Sequence, residues 1–478
     1  MSVQWYAGLV VIVGLCLWLM GDVLGSVVAL LFFTLFGGGA AFLIGVTSIQ
    51  PTSFFLIFLL AHVLLSMFQR SNHVKLGLET NGYLAFLCIY SAIAAMILPK
   101  LFFRHMILPP VLINAHDVYY VAPLGPSRQN LTTAIYLIGT LLASICAAAA
   151  SADPRSRRTI VTWSVVIAWA HIAFGVFGVI ATKVGGTAII GFFRNAKYAE
   201  LNEVTQGFVR IDGIFPEPSS YGAYAFVWFV FMVELWLRQI RPSWTGAAAA
   251  ALLIVLMFCT STSAYFGMAV YAAVMLVRWV IASGGLRQTK LLILAFSGLT
   301  AVTAALAAMA LAPSIATLAS RVLTSVTLHK LDSTSGLQRT FWIKAGLTAF
   351  IKSYGLGVGA GSFRSSSLIV AILGSSGVIG AVAFVGHIVK VMRPLRADTY
   401  LLSRAARDPV GASAAWAACA GLLPAMVSAP TMDPGVLFGV LGGLALGWRL
   451  TADRGQVSAS RSARGAVAAP DLAGAVAT

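Results

Sequence analysis

Long apolar runs separated by short polar breaks recur along almost the whole chain. They lie at about 5–20, 24–48, 52–68, 82–98, 131–151, 159–182, 219–237, 244–260, 262–283, 291–312, 367–389, 411–429 and 434–450. Most reach the roughly 17–25 residues that a helix needs to cross a bilayer. The pattern predicts an all-α polytopic membrane protein with about 12–14 transmembrane helices. The runs are continuous rather than alternating, which argues against a membrane β-barrel. No internal repeat is visible, so the inverted-repeat plan of many transporters is not supported. Residues 1–450 read as one integral membrane domain. The tail 451–478, rich in Ala, Ser, Gly and Arg, predicts disorder.

Composition agrees with this reading. The chain is 59% hydrophobic and only 10% charged, against about 25% charged residues in soluble domains. The start, Met-Ser-Val-Gln-Trp-Tyr, lacks the basic region of a signal peptide, so the first helix is expected to be retained. Cys16, Cys88, Cys146, Cys259 and Cys419 all fall in apolar runs, without metal-ligand spacing or a disulfide framework.

Lysine and arginine set the expected orientation. Most of them, including Arg155, Arg157, Arg158, Arg238, Arg241, Arg278, Lys390 and Arg393, occupy one set of short loops. That side, and the C-terminal tail, are placed in the cytoplasm. Three longer loops at about 99–130, 183–218 and 313–366 then face outward. They carry more cations than the rule leads one to expect, among them Arg194, Lys197, Arg210, Arg339, Lys344 and Arg364. A net positive outer surface suits an anionic ligand such as a lipid pyrophosphate, or anionic lipid headgroups. The bases are scattered and form no nucleic-acid module.

Two outer segments concentrate candidate chemistry. The first is Arg210-Ile-Asp-Gly-Ile-Phe-Pro-Glu-Pro-Ser-Ser-Tyr-Gly222. Pro216 and Pro218 force the backbone around Glu217 to be extended. A helix then starts, with Ser219 and Ser220 as candidate caps. Its amino end carries partial positive charge. Arg210, this helix end and Glu217 together could hold a phosphate beside a general base. The plainer readings are a helix-end carboxylate for Glu217 and a headgroup-snorkelling cation for Arg210.

The second segment runs from Ser335 to Arg364. Residues 339–350 read as a short helix with Trp342 at the interface. Gly355, Gly357, Gly359 and Gly361 follow, alternating with other residues, and allow close backbone approach to a ligand. No Gly-Lys-Ser/Thr follows, so this is not a nucleotide P-loop. Arg364 then precedes Ser365, Ser366 and Ser367. His62, His171 and His387 sit alone on apolar helices and read as packing residues. Glu234 reads as an i,i+4 partner of Arg238.

In these segments the chain resembles the O-antigen polymerase and ligase superfamily, most of all the Wzy-type exopolysaccharide polymerases. The resemblance rests on Arg210-x-x-Gly213-x-Phe215-x-Glu217-Pro218-Ser219-x-x-Gly222. It rests also on Arg339-x-x-Trp342, followed by Gly355-x-Gly357-x-Gly359, Phe363 and Gly377-Val-Ile-Gly380. It covers about 190–385 specifically. It implies a GT-C-like helical fold with two large periplasmic loops in a bacterial inner membrane. The implied activity is polymerisation of undecaprenyl-pyrophosphate-linked oligosaccharide repeat units, which serve as both donor and acceptor, with no metal or cofactor. Arg210, Arg339, Arg364 and Arg194 would then bind pyrophosphate, Glu217 would position or deprotonate the acceptor, and Gly355, Gly357, Gly359 and Gly361 would border the glycan path. A chain-length regulator and a flippase are implied partners, beside the membrane lipids. Ligases of the superfamily place a histidine after the glycine-rich segment, whereas here the chain reads Arg364-Ser-Ser-Ser-Leu368. That favours the polymerase branch and leaves the general base open. A ligase, or a flippase of the same lipid-linked glycan, is the alternative.

Overall fold

The structure is a computed structural model that describes residues 2–45, 47–67, 71–112, 119–197, 204–205, 208–281, 334–393 and 408–467. The expected span at 291–312 lies outside the described residues, as do residues 313–333 of the expected outer loop. Among the described residues the fold is helical, with three small antiparallel sheets. In chain order the helices are α1 Trp5–Leu19, α2 Val23–Phe33, α3 Pro51–Met67, α4 Ser71–Thr80, α5 Gly82–Leu101, α6 Arg128–Ala150 and α7 Ser156–Lys183. They continue with α8 Thr187–Phe193, α9 Pro218–Leu237, α10 Pro242–Phe258, α11 Thr262–Ile281, α12 Thr334–Lys352, α13 Leu368–Met392, α14 Pro409–Ala420 and α15 Val436–Val467.

Six segments among the described residues are long and apolar enough to cross a membrane: α5, α6, α7, α9, α13 and Pro409–Val427. Six shorter apolar helices accompany them. The centre of the bundle is filled by Trp228, Phe226 and Phe231 of α9 and Trp448 of α15, all fully buried.

Close helix approach depends on small residues. Gly439, Gly443 and Gly447 recur every four residues on α15 and face α6. A Cβ on Gly439 would lie 2.5 Å from the Thr140 carbonyl oxygen, and one on Gly447 2.7 Å from that of Ala148. Where apolar burial cannot drive helix pairing in lipid, such close backbone contact does. The contact fixes the loop just before α15, which matters for the site below.

The expected elements are adjusted in three places. The run 24–48 is not one helix. Helix α2 ends at Phe33, and Gly37-Gly38-Gly39 leads into a hairpin, Phe42–Ile44 with Thr47–Ile49. The glycines are needed because residues 214–215 dock there: a Cβ on Gly38 would lie 2.6 Å from the Ile214 carbonyl oxygen. The short helix expected at 339–350 begins earlier, at Thr334. The tail, predicted disordered from 451, instead continues α15 to Val467, consistent with the high helix propensity of its Ala and Arg residues. Residues 468–478 lie outside the described residues.

The Glu234–Arg238 pair is larger than its spacing suggests. Glu234 is fully buried. It accepts hydrogen bonds from Arg238, Arg278 and, at 2.7 Å, the Tyr271 hydroxyl. Arg278 also stacks 4.1 Å over the Trp416 ring. One carboxylate thus ties α9, α11 and α14 together. Its removal would leave buried guanidinium groups uncompensated, which typically costs about 3–5 kcal/mol. We expect Glu234→Ala to lower the thermal unfolding midpoint in detergent far more than Lys75→Ala. The latter breaks only an exposed 4.0 Å pair with Glu79, worth about 0–1 kcal/mol. Equal shifts would show that the cluster contributes no net stability.

Candidate functional site

The loop carrying Arg210 is clamped before it reaches α9. Arg194, buried at the end of α8, donates through Nη1 to Asp212 Oδ2 at 2.7 Å and through Nη2 to the Pro216 carbonyl at 3.0 Å. The Gly38 amide donates to the Ile214 carbonyl at 3.2 Å. Gly213, at φ 53°, lies on a notch in α7, where a Cβ on Gly178 would come within 2.9 Å of the Gly213 Cα. The loop therefore approaches as closely as glycine backbone allows.

Pro216-Glu217-Pro218 follows, with Glu217 extended at φ −157° and ψ 158° and Pro218 opening α9. Glu217 holds the cap position, but its side chain does not cap the helix. Its Oε1 instead accepts hydrogen bonds from the hydroxyls of Ser219 and Ser220. The two serines, expected as caps, thus orient the carboxylate. Arg210 donates through Nε to Thr260 Oγ1 at 2.8 Å and through Nη2 to the Thr260 carbonyl at 3.1 Å.

The second segment is built on a broken helix. Within α13, Gly377 has φ 64° and ψ −159° and interrupts the helical ladder. The freed groups are taken up by the glycine loop. The amides of Val358 and Gly359 donate to the carbonyls of Gly374 and Ser375 at 2.8 and 2.9 Å, and that of Val378 to Gly355 at 2.9 Å. Gly355, Gly357, Gly359 and Gly361 all have positive φ, between 78° and 92°. A Cβ on Gly357 would lie 2.5 Å from the Ser375 carbonyl oxygen, and one on Gly359 2.9 Å from that of Ala94 in α5. These two glycines seat the loop on its neighbours, and Gly361, where a Cβ would run into the Gln129 carbonyl oxygen, seats it on α6 beside a cavity.

Arg364 leaves this loop into a tight frame. Its amide donates to the Pro109 carbonyl at 2.9 Å, and Nη1 donates to the Val111 carbonyl at 3.1 Å. Its guanidinium lies 4.6 Å over the Trp342 ring of α12. The Ser365 amide donates to the Pro430 carbonyl at 3.0 Å, and the Ser366 hydroxyl to the Arg339 carbonyl at 2.8 Å. Arg339 reaches the Val427 carbonyl at 3.5 Å.

The two segments meet at one cavity of about 420 Å³. Glu217, Ser219, Ser220, Arg364 and Ser428 make its polar part. Ala417, Ala418, Gly421, Leu422, Leu437 and Phe438, from α14, the turn after it and α15, make an apolar part. Arg339 and Arg210 are not in its wall, but their charges belong to the same group. Burial lowers the Arg339 guanidinium below its usual range, Glu217 draws it back up, and Arg210 pushes it down. Burial likewise lowers Arg364, against the opposing pull of Glu217. Arginine remains charged under such shifts. Arg210, Arg339, Arg364 and Glu217 are thus brought together. Arg194 holds the loop from behind and does not line the cavity. Among the described residues no group of three or more His, Cys, Asp or Glu could hold a metal.

One acid was not singled out by the sequence. Asp433 lies in the loop that supplies Ser428, Ala429, Pro430 and Pro434 to the cavity wall. Its Oδ1 accepts from Thr140 Oγ1 at 2.8 Å and from the Gly435 amide at 3.1 Å. The available signal was Asp-Pro-Gly just after an apolar run, which marks a turn but not an acid held by another helix. Burial raises the proton affinity of this carboxyl, against the two hydrogen bonds, which lower it.

The chain matches no known family model, no curated protein and no solved structure.

The raised Asp433 carboxyl gives a signed pH dependence. A folded-state pKa above the unfolded value means that stability is fully present below the unfolded pKa, about 3.9, and is lost as pH rises through the folded one. Asp433→Asn removes that loss while keeping an acceptor for Thr140. We expect its thermal midpoint to exceed that of the wild type at neutral pH and the gap to close near about pH 4. A gap independent of pH would mean that Asp433 does not titrate in this way.

Proposed function

We propose that this protein is a membrane-embedded glycosyltransferase that polymerises oligosaccharide repeat units carried on undecaprenyl pyrophosphate. The observation that carries this reading is the shared cavity. Two arginine-bearing segments, far apart in sequence, meet at a cavity whose wall joins a polar part with Arg364 and Glu217 to an apolar part. A lipid pyrophosphate has the same division into a dianionic head and a hydrocarbon chain.

Arginine suits the head because its planar fork binds two phosphate oxygens at once and stays charged in a partly dry site. At about 4 Å and an effective dielectric near 20, one such contact is worth on the order of 4 kcal/mol before desolvation. In the reaction, the bond between the sugar anomeric carbon and the pyrophosphate oxygen breaks. The electron pair leaves on the lipid pyrophosphate, where Arg364 in the cavity wall stabilises the growing charge and the charges of Arg339 and Arg210, outside the wall, add to it. A hydroxyl of the next lipid-linked unit forms the new glycosidic bond, and Glu217 takes its proton. The surrounding assignments follow from the same reading: a GT-C-like fold with 12–14 crossings, outer loops in the periplasm of a bacterial inner membrane, a cytoplasmic C-terminus, and a flippase and a chain-length regulator as partners.

The test uses purified protein with lipid-linked repeats and a glycan ladder as readout. Arg339→Lys and Arg364→Lys keep the charge but lose the fork, so each is expected to slow chain growth at least about tenfold, or ~1.4 kcal/mol of barrier. Glu217→Gln removes the group that takes the acceptor proton and is expected to slow chain growth at least about a hundredfold. Near-wild-type ladders from both lysine variants would sink the pyrophosphate assignment.

A further inference from the structure

A second and larger cavity, of about 540 Å³, lies on the far side of the Arg364 frame. Its wall combines the hairpin around Gly45, the hairpin that pairs Ile107–Leu108 with Ala122–Pro123, and the first turns of α6. The two cavities share one strip of chain. Gly361 and Ser362 border the larger, and Arg364, two residues on, borders the smaller. The strip is fixed from both sides. Asn130 of α6 donates to the Ala360 carbonyl and to Ser362 Oγ, both at 2.8 Å. Arg364 Nη1 binds the Val111 carbonyl, and Val111 itself lines the larger cavity.

The chemistry of the two cavities differs. The smaller one has an apolar interior of Ala, Gly, Leu and Phe side chains. The larger one presents hydroxyls and an amide, from Thr47, Ser127, Gln129, Thr132 and Ser362, and one charged side chain, Arg128. Ser127 and Thr132 are partly engaged locally, with Asn130 and the Arg128 carbonyl. The side chains of Arg128 and Gln129 make no hydrogen bond among the described residues. A fixed wall of hydroxyls with an uncommitted amide and guanidinium is suited to sugar hydroxyls, which need several directed donors and acceptors at once.

We propose that this second cavity binds the sugar residues attached to the pyrophosphate, and so selects the repeat unit. This rests on the polymerase reading above and assigns its glycan subsite. With the pyrophosphate held at Arg364, the first sugars pass over Gly361 and Ser362. The lack of a side chain at Gly361 lets the strip lie directly on α6, where a Cβ would come 2.7 Å from Thr133 Oγ1 and run into the Gln129 backbone. Arg128 favours a repeat that carries an acidic sugar.

The experiment measures two affinities on the intact detergent-solubilised protein. One ligand is geranylgeranyl pyrophosphate, which has a lipid and pyrophosphate but no sugar. The other is the lipid-linked oligosaccharide extracted from the membranes in which the protein is native. We expect the wild type to bind the oligosaccharide form at least tenfold more tightly than the bare lipid. The double variant Arg128→Ala with Gln129→Ala should lose that gain and keep the bare-lipid affinity. Thr132→Trp, which fills the cavity, should do the same, and the truncating double variant keeps the test valid if the tryptophan misfolds. Equal affinity of the wild type for both ligands, or an undiminished gain in the variants, would overturn the glycan subsite alone. Failure of bare lipid pyrophosphate to bind the wild type would overturn the polymerase reading and this proposal with it.

Discussion

The break in α13 at Gly377 is the constraint on which the site depends. Inside an apolar bundle an interrupted helix leaves carbonyl and amide groups that must find partners, because each unsatisfied group costs several kcal/mol. Here the partners come from the 355–361 loop, whose amides bond to Gly374 and Ser375. That exchange is possible only if the loop backbone lies directly on the helix, which explains glycine at 357 and 377. Once the loop is seated, the direction of residues 362–367 is set. Arg364 is delivered to the cavity, and the Ser366 hydroxyl holds the backbone of Arg339. The cation thus owes its position to backbone hydrogen bonding rather than to a charged partner.

The opposite wall uses an ion pair for the same end. Arg194 and Asp212 have side chains only 2% and 13% exposed, so the pair is poorly screened and breaking it would strand a buried charge. Because Arg194 also binds the Pro216 carbonyl, it fixes the residue just before Glu217. Asp212 compensates Arg194, and Glu217 is the carboxylate whose charge acts on Arg339 and Arg364. The two walls therefore bring the Glu217 carboxylate and the Arg364 guanidinium to one cavity.

Much of the bundle was legible in the sequence, because a continuous apolar run of span length has few alternatives in folding. Helices α5, α6, α7, α9 and α13 follow directly from that pattern. What was not legible depends on distant contacts. The end of α2 at Phe33 is set by Gly37–Gly39, whose purpose appears only when residues 214–215 dock on them. The kink at Gly377 lies within an apolar run that reads as uninterrupted. For the site, Arg210, Arg339, Arg364 and Glu217 stood out as charge in an apolar chain, and the fold brings them together. Arg194 stood out in the same way, but its holding role required knowing where Asp212 and Pro216 fall. Asp433 was hidden because its partner Thr140 belongs to another helix, hundreds of residues earlier.

The glycine stripe of α15 connects these two kinds of contact. Gly439 faces the Thr140 carbonyl on α6, and the Thr140 hydroxyl binds Asp433 in the loop that opens α15. A larger residue at 439 would push α15 from α6 and withdraw the Thr140 hydroxyl that holds Asp433. The same displacement would shift Pro430 and Pro434, and through Pro430 the Ser365 amide beside Arg364. Packing deep in the bundle is thereby linked to charge placement at its mouth through a short run of hydrogen bonds. The polar site is therefore as sensitive to small residues in the apolar interior as to its own arginines.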